Sequence, residues 1–258
     1  FNKGEEAWMR RVQSGQSGEQ MTNQLAGNFG GAPFKYLGEW TDRIAKGELP
    51  SATPSRPQGI ERNVVVTTWD WADPKVYLHD AISTDKRNPT VNANGPIYGA
   101  LEESGDYFPV IDPKTNTASM VKVGPRDDDT PSSADQPSAA PSPYWADETI
   151  WNSQTTVHSF AMDKQGRVWA AARVRKPQTP AWCQAGSDHP SAKLMPITQG
   201  QRGLIMYDPK TKKVTQIDTC FTWGHVNFDD NDVLWSSFGP TGVEGWFDVK
   251  TWDKTKDE

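Results

Sequence analysis

One segment of the sequence recurs in related form, and this internal repeat constrains the fold more than any other feature. Its clearest copy covers residues 157–217 and consists of two predicted strand pairs, at residues 157–172 and 203–217. Each pair consists of two strand-forming runs joined by a short polar turn, which is the pattern of an antiparallel hairpin. The sequence therefore predicts a four-stranded antiparallel unit that the chain builds more than once.

Both hairpins of this unit have counterparts elsewhere in the chain. Residues 158–169 align with residues 225–235, which are one residue shorter, and residues 90–98 match more weakly with Tyr98 in the place of the tryptophan. The second hairpin recurs as an apolar residue followed by Asp, a turn and Lys-Thr, beginning at Ile111, Tyr207 and Phe247. Further strands are predicted at residues 63–71 and 90–100, and a hairpin at residues 106–123.

Repeated four-stranded antiparallel units of this kind are typical of β-propeller blades. The blades resemble those of the streptogramin-lyase-like (virginiamycin B lyase-like) family, and the resemblance covers residues 63–258. The predicted fold is thus mainly β, with two full blades, part of a third, and a short α-helical N-terminal region. Because such a set cannot close a ring, we expect further blades or partner chains to complete the propeller.

The N-terminal region has a different character. Residues 1–48 contain two short helical patterns, at residues 6–12 and 39–45, joined by a glycine-rich connection across residues 15–31. Residues 49–62 form a proline-rich linker before the blades at residues 63–258.

Residues 5–50 resemble the C-terminal half of a small c-type cytochrome domain. That resemblance implies haem c as cofactor and Met21 as its axial ligand. The Cys-x-x-Cys-His attachment motif is missing from this sequence, so the resemblance also implies that the first half of such a domain precedes Phe1. The alternative is a plain helical lead-in without haem.

Composition limits the partners of the chain. The net charge is -6, which argues against a nucleic-acid partner. No apolar run approaches the roughly 18 residues of a membrane span. The sequence begins at Phe1 without an initiating methionine or a signal peptide, which is consistent with a processed or internal piece.

The sequence has only two cysteines, Cys183 and Cys220, which flank the second half of the clearest repeat. They lack the spacing of a zinc site, so a disulfide is the favoured interpretation and two buried free thiols are the alternative. A disulfide predicts an oxidising compartment, either periplasmic or extracellular.

Two histidines, His158 and His225, occupy the same position in two copies of the repeat. In the lyase-like family this position lies on the innermost strand near the central channel, which implies a catalytic His working with a Glu and Mg²⁺. No Glu stands at a matching spacing, and Glu244 is the nearest candidate. The alternative is that both histidines are structural residues that hydrogen-bond a neighbouring loop.

The remaining polar motifs favour structural roles. His79 next to Asp80 does not make a dyad, because neighbours in a strand point to opposite faces. His189 is interpreted as a loop-ordering residue. The acidic run at residues 127–129 lacks the alternating ligands and the glycine of a calcium loop, so it is interpreted as a solvated charge run. The run at residues 229–232 is interpreted as a polar hairpin turn, with weak Ca²⁺ binding as the alternative.

Three hypotheses for function remain at this stage. The first is a secreted or periplasmic propeller that binds a small molecule or polymer at its channel mouth as a ligand-binding or interaction scaffold. The second is a lyase-like enzyme that uses His158, His225 and a divalent metal. The third is a propeller subunit or domain of a haem-containing electron-transfer protein. Fold resemblance alone does not choose among them.

Overall fold

The described part of the chain contains three antiparallel β-sheets and a group of short helices. The computed structural model describes residues 3–13, 17–64, 66, 69, 75–136, 139–141, 147–238 and 243–256, apart from the side chains at positions 19, 237, 238 and 243. Contacts divide the chain into two units, Phe1–Asp70 with Ala134–Ile150 and Trp71–Ser133 with Trp151–Glu258.

The first unit is helical. Its α-helices are α1 (Gly4–Arg11), α2 (Gly18–Thr22) and α3 (Ala32–Ala45), and a π-helix at Asn23–Asn28 follows α2 directly. The helices predicted at residues 6–12 and 39–45 are confirmed. The glycine-rich connection predicted across residues 15–31 is wrong for residues 18–28, where good helix formers between the glycines sustain a helical backbone.

Helices α1 and α3 pack closely because a glycine lies at their contact. A Cβ atom on Gly38 of α3 would lie 2.5 Å from the backbone nitrogen of Glu5. The indole of Trp8 donates a hydrogen bond of 3.1 Å to Thr41 Oγ1 across the same contact. Phe34 and Val12 are buried and form the apolar centre of the unit.

The second unit contains the sheets, whose strands are adjacent in chain order. The first sheet has strands β1 (Asp80–Ile82), β2 (Ile97–Ala100), β3 (Tyr107–Asp112) and β4 (Thr117–Lys122). The second sheet has β5 (Val157–Met162), β6 (Val168–Ala172), β7 (Gly203–Asp208) and β8 (Lys213–Ile217). The third sheet has β9 (His225–Phe228), β10 (Val233–Phe238) and β11 (Val243–Asp248).

The sheets match the repeat units predicted from the sequence. Two sheets have four strands and the third has three, and all neighbouring strands pair antiparallel. The Asp-x-Lys-Thr turn is the same in each, because the aspartate accepts a backbone hydrogen bond from the lysine: Asp112 from Lys114 at 2.8 Å, Asp208 from Lys210 at 2.9 Å and Asp248 from Lys250 at 3.0 Å. After the third turn the chain continues as helix α5 (Val249–Thr255) and not as a fourth strand.

Two strand predictions differ from the structure. The strand pair predicted at residues 90–100 is wrong in its first half, because Asn92 and Asn94 adopt left-handed φ values of 60° and 57° that interrupt a strand. The inner strand of the first sheet is β1, which the sequence pattern did not reveal. Most of the strand predicted at residues 63–71 lies outside the described residues.

The sheets stack face to face through apolar side chains. Phe108 and Tyr98 of the first sheet meet Phe160 and Tyr207 of the second, with ring centroids 5.4 to 6.0 Å apart. On its opposite face the second sheet presents Trp169, which is fully buried against the third sheet and α5. The second sheet is therefore covered on both faces.

The strands β1, β5 and β9, here called the inner strands, lie next to one another. Asp80 Oδ2 accepts a hydrogen bond of 3.2 Å from the backbone nitrogen of Phe160. Ser159 Oγ donates to the carbonyl of Gly224 at 2.9 Å and accepts from the nitrogen of Val226 at 3.2 Å. These side chains fix the beginnings of the inner strands relative to one another.

A disulfide joins Cys183 to Cys220, as the sequence predicted. It ties the loop between β6 and β7, which carries the short helix α4 (Pro190–Leu194), to the segment before β9. Among the described residues, no helix is long and apolar enough to cross a membrane.

Candidate functional site

Three histidines meet where the inner strands begin. His79 directly precedes β1, His158 is the second residue of β5, and His225 is the first residue of β9. Each sheet thus contributes one imidazole from nearly the same position of its inner strand. One nitrogen atom of each ring lies within 4.8 Å of the corresponding atoms of the other two.

The rings are close enough to contact one another. The centroid of His79 lies 4.3 Å from that of His158 and 5.8 Å from that of His225, and the His158 and His225 centroids are 4.8 Å apart. His79 and His158 are half-buried and His225 is exposed. The cluster therefore has a covered side and an open side, and His225 lies on the open side.

A buried carboxylate orients His158. Glu102, which follows β2, has a side chain only 3% exposed, and its Oε1 lies 2.7 Å from Nδ1 of His158. When the proton of the neutral ring is on Nδ1 it faces this carboxylate, and the lone pair is then on Nε2.

A second hydrogen bond orients His79. Its Nδ1 lies 2.8 Å from the backbone carbonyl oxygen of His158, so Nδ1 carries a proton and donates it. The lone pair of the neutral His79 ring is then on Nε2. Glu102 Oε2 lies 3.5 Å from that atom. His79 is thus held in the tautomer whose lone pair is on Nε2.

The electrostatics of the site keep Glu102 charged and His158 neutral. Burial opposes the charge of Glu102, but the hydrogen bond with His158 and the guanidinium of Arg202, 2.5 Å away, outweigh it and lower the pKa of Glu102. Burial is the main cause that lowers the pKa of His158, and Arg202 acts in the same direction against the pull of Glu102. At neutral pH His158 is therefore a neutral imidazole beside a carboxylate.

The donor set fits a transition-metal ion. Three imidazoles are ligands that suit zinc, copper, nickel or iron, whereas Mg²⁺ requires oxygen ligands. Around a tetrahedral ion with bonds of about 2.0–2.1 Å, ligand nitrogens lie about 3.3 Å apart. Rings whose nitrogens lie within 4.8 Å need to move inward by about 1 Å or somewhat more to reach that distance. The Mg²⁺ expected from the family resemblance does not fit these three ligands.

A cleft of about 210 Å³ opens beside the exposed histidine. His225, Asn227, Trp235, Ser236 and Glu244 line it. Glu244, the nearest carboxylate in the sequence-based interpretation, thus shares a cleft with His225. The carboxylate next to His158 is Glu102.

The other residues singled out in the sequence lie elsewhere. Met21 is half-buried in α2 of the first unit. His189 caps α4, accepting from the nitrogen of Ser191 at 3.2 Å, and its ring lies 4.6 Å from that of Trp182. That placement agrees with a loop-ordering role.

Sequence reasoning missed two members of the site. His79 was judged only as a neighbour of Asp80, because the short strand β1 gave no signal that would align it with His158 and His225. Glu102 has no counterpart in the other repeat copies, and only the turn after β2 brings it beneath His158. A search for one histidine at the beginning of each inner strand would have found His79 but not Glu102.

Comparison with known proteins identifies no relative for this site. No protein-family model matches the chain, and no curated protein matches it. Among solved structures, the extracellular domain of BT4673 from B. thetaiotaomicron aligns with a TM-score of 0.35 and 10% identity, over 67% of this chain and 15% of that one. A chain of the mitotic checkpoint complex aligns with a TM-score of 0.35 and 13% identity, over 79% of this chain and 44% of that one. This chain therefore spans less than half the length of either structure.

Proposed function

We propose that His79, His158 and His225 bind one divalent transition-metal ion such as zinc. We further propose that this ion is the ligand-binding centre of the protein. The observation that carries the proposal is the convergence of three imidazole nitrogens within 4.8 Å from three successive inner strands. Protonated imidazoles at this spacing repel one another. Neutral imidazoles at the same spacing can each donate a lone pair to one shared cation.

The hydrogen bonds around the cluster support this proposal. Metal-binding histidines commonly donate their second ring nitrogen to a carboxylate or a backbone carbonyl, which fixes the tautomer and strengthens the ligand. His79 makes the second kind of bond, to a carbonyl oxygen, and Nδ1 of His158 lies 2.7 Å from a carboxylate oxygen of Glu102. The lowered pKa of His158 also keeps its lone pair available at neutral pH.

Three protein ligands leave a coordination position open. Zinc sites with three protein ligands hold water or a bound molecule in the fourth position. The cleft beside His225 gives a small molecule access to that position. The proposed metal site therefore supports ligand binding, at the point where the three sheets meet, as the function of the protein.

The stacked sheets support a propeller as the architecture around this centre. In a propeller the inner strands surround a central channel, and here the inner strands carry the three histidines. The disulfide between Cys183 and Cys220 supports a periplasmic or extracellular location, where such bonds persist. We therefore place the proposed ligand-binding function outside the cytoplasm.

Titration calorimetry with Zn²⁺ on chelator-treated protein tests the proposal. We expect one strong site per chain, and replacing His79, His158 or His225 by alanine should weaken binding at least tenfold in each variant. His189→Ala is the matched control, because His189 caps a helix away from the cluster and its variant should bind like wild type. Binding that survives all three substitutions would refute the metal site.

A metal-dependent lyase is the second candidate, and Glu102 favours it. The resemblance to the streptogramin-lyase-like family implies a His, a Glu and a divalent ion, and the structure supplies a Glu 2.7 Å from His158. In this reaction class a base removes a proton next to a carbonyl while a cation stabilises the negative charge that develops. Elimination from a cyclic depsipeptide ester by the zinc-loaded protein, lost in His225→Ala, tests this candidate. Absence of turnover together with intact zinc binding would reject it.

A further inference from the structure

The outer face of the third sheet carries two large exposed aromatic side chains. Trp235 of β10 is 42% exposed and Trp246 of β11 is 55% exposed. They are direct partners across the two strands, and their ring centroids lie 5.8 Å apart. They face away from the second sheet, which contacts the opposite face through Val226 and Leu234.

Trp235 repeats a residue of the second sheet that is completely covered. Trp169 stands at the equivalent position of β6 and is 0% exposed. Both indoles are held by the same bond, from Nε1 to an aspartate six residues earlier: Trp169 to Asp163 at 2.9 Å and Trp235 to Asp229 at 3.1 Å. The two rings are therefore built into their sheets in the same way, although only one of them is buried.

The contact that buries these aromatic residues also repeats. Tyr98 of β2 packs against Tyr207 of β7, at 6.0 Å between centroids. Trp169 of β6 packs against Phe247 of β11, at 5.8 Å. Tyr207 and Phe247 both directly precede the Asp of the Asp-x-Lys-Thr turn on the third strand of their sheets. In the first and second sheets, the second-strand aromatic residue thus meets the third-strand aromatic residue of the next sheet.

We propose that the outer face of the third sheet is an interface for a fourth antiparallel sheet of the same repeat. The repeated contact specifies its chemistry, because its third strand carries an aromatic residue directly before an Asp-x-Lys-Thr turn, and that ring covers Trp235. Leu194 and Met195 extend the apolar surface, since they line a groove of about 460 Å³ together with Trp246. Leu194 and Met195 are exposed, as Trp235 and Trp246 are.

The fourth sheet also completes the surroundings of the histidine cluster. Each of the first three sheets brings the beginning of its inner strand to that cluster. A fourth sheet that stacks in the same manner places the beginning of its own inner strand beside His225, on the open side. This part of the inference rests on the proposed metal site, whereas the interface itself does not.

Oxidative footprinting of tryptophans tests the interface on the protein isolated from its natural source. In the separate 258-residue chain, we expect Trp235 and Trp246 to react as fast as Trp40, which is 55% exposed. In the natural protein, their reaction should slow at least tenfold, toward that of Trp169, with the metal present or removed. Equal reactivity of Trp235 and Trp246 in the two samples would overturn the proposal.

Photo-crosslinking identifies what covers the face. Trp246→p-benzoylphenylalanine, and separately Leu194→photo-leucine, are introduced into the natural protein, and the linked peptides are sequenced. We expect peptides from a strand that ends in an aromatic residue followed by Asp-x-Lys-Thr. Links to a second copy of the third sheet, or to a peptide without this motif, would overturn the proposal. Zinc titration of the same samples shows separately whether the metal site is intact. A failure of the proposed interface can therefore be distinguished from a failure of the proposed metal site.

Discussion

Oε1 of Glu102 lies 2.7 Å from Nδ1 of His158, and this buried pair connects a turn of the first sheet to the inner strand of the second. Because Nδ1 of His158 faces the carboxylate, Nε2 is the nitrogen of this ring that can bind a metal ion. The carboxylate also gives the histidine cluster a negative charge that a bound cation can offset. The pair is therefore the link between the stacking of the sheets and the proposed chemistry of the site.

Replacing Glu102 by glutamine should weaken zinc binding about 10- to 100-fold, the usual cost of losing a carboxylate behind a metal-binding histidine. The amide can donate to Nδ1 of His158 and so favour the opposite tautomer, and it removes the negative charge. Calorimetry measures the change. Glu39→Gln, which alters an exposed carboxylate of the first unit, is the control and should leave the affinity unchanged. Equal affinities for Glu102→Gln and wild type would show that the carboxylate does not support the site.

The pH dependence of stability should report the lowered pKa of His158. Below about pH 6.5 this histidine becomes protonated in the unfolded chain, whereas in the folded chain it stays neutral to a lower pH. The free energy of unfolding therefore falls as the pH falls, by at most about 1.4 kcal/mol per pH unit for one group. Urea unfolding of metal-free protein at pH 7.5 and 5.5 measures this loss. Glu102 does not interfere in this window, because its pKa is lowered and its contribution disappears only at more acidic pH.

The variant His158→Gln isolates that effect. It should lose less stability than wild type between pH 7.5 and 5.5, because the titrating group is gone. His189→Gln should behave like wild type. If His158→Gln and wild type show the same loss, another group is responsible for the pH dependence.

The double replacement of Cys183 and Cys220 by serine should lower the free energy of unfolding by about 2–4 kcal/mol. The bond closes a loop between residues 37 positions apart, which restricts the unfolded chain. Urea unfolding with and without reductant measures the cost. A double variant as stable as oxidised wild type would contradict this estimate, and titratable thiols in unreduced, denatured wild type would contradict the bond itself.

Gly38→Ala should destabilise the first unit by about 1–3 kcal/mol, because the new methyl group meets backbone atoms that cannot rotate away. Gly27→Ala is the matched control, since its Cβ would meet nothing within 4 Å. Thermal unfolding followed by circular dichroism measures both variants. Zinc affinity should be the same in each, because the site lies entirely in the second unit. An unaffected Gly38→Ala variant would contradict the tight contact between α1 and α3.

The repeat was readable from the sequence because it depends on local signals. The Asp-x-Lys-Thr turn and the tryptophan near the beginning of the second strand occur at fixed offsets, and they predicted the second sheet, the strands of the third and the outer hairpin of the first. His158 and His225 were found for the same reason, since they share one repeat position. The disulfide followed from the presence of only two cysteines.

The rest of the site was not readable, because it depends on contacts between distant segments. His79 precedes a strand of only three residues, too short to show periodicity. Glu102 contacts His158 across 56 positions of sequence only because the first and second sheets stack. The asparagine turns before β2 resembled a hairpin in sequence, and their left-handed backbone explains why no strand forms there.

X-ray absorption spectroscopy of the zinc-loaded protein tests the metal site most directly. We predict three nitrogen ligands at about 2.0–2.1 Å with the multiple-scattering pattern of imidazole. The pattern should weaken when His79, His158 or His225 is replaced by alanine and persist in His189→Ala. A zinc environment of oxygen ligands without imidazole, or one that the three substitutions leave unchanged, would contradict the account.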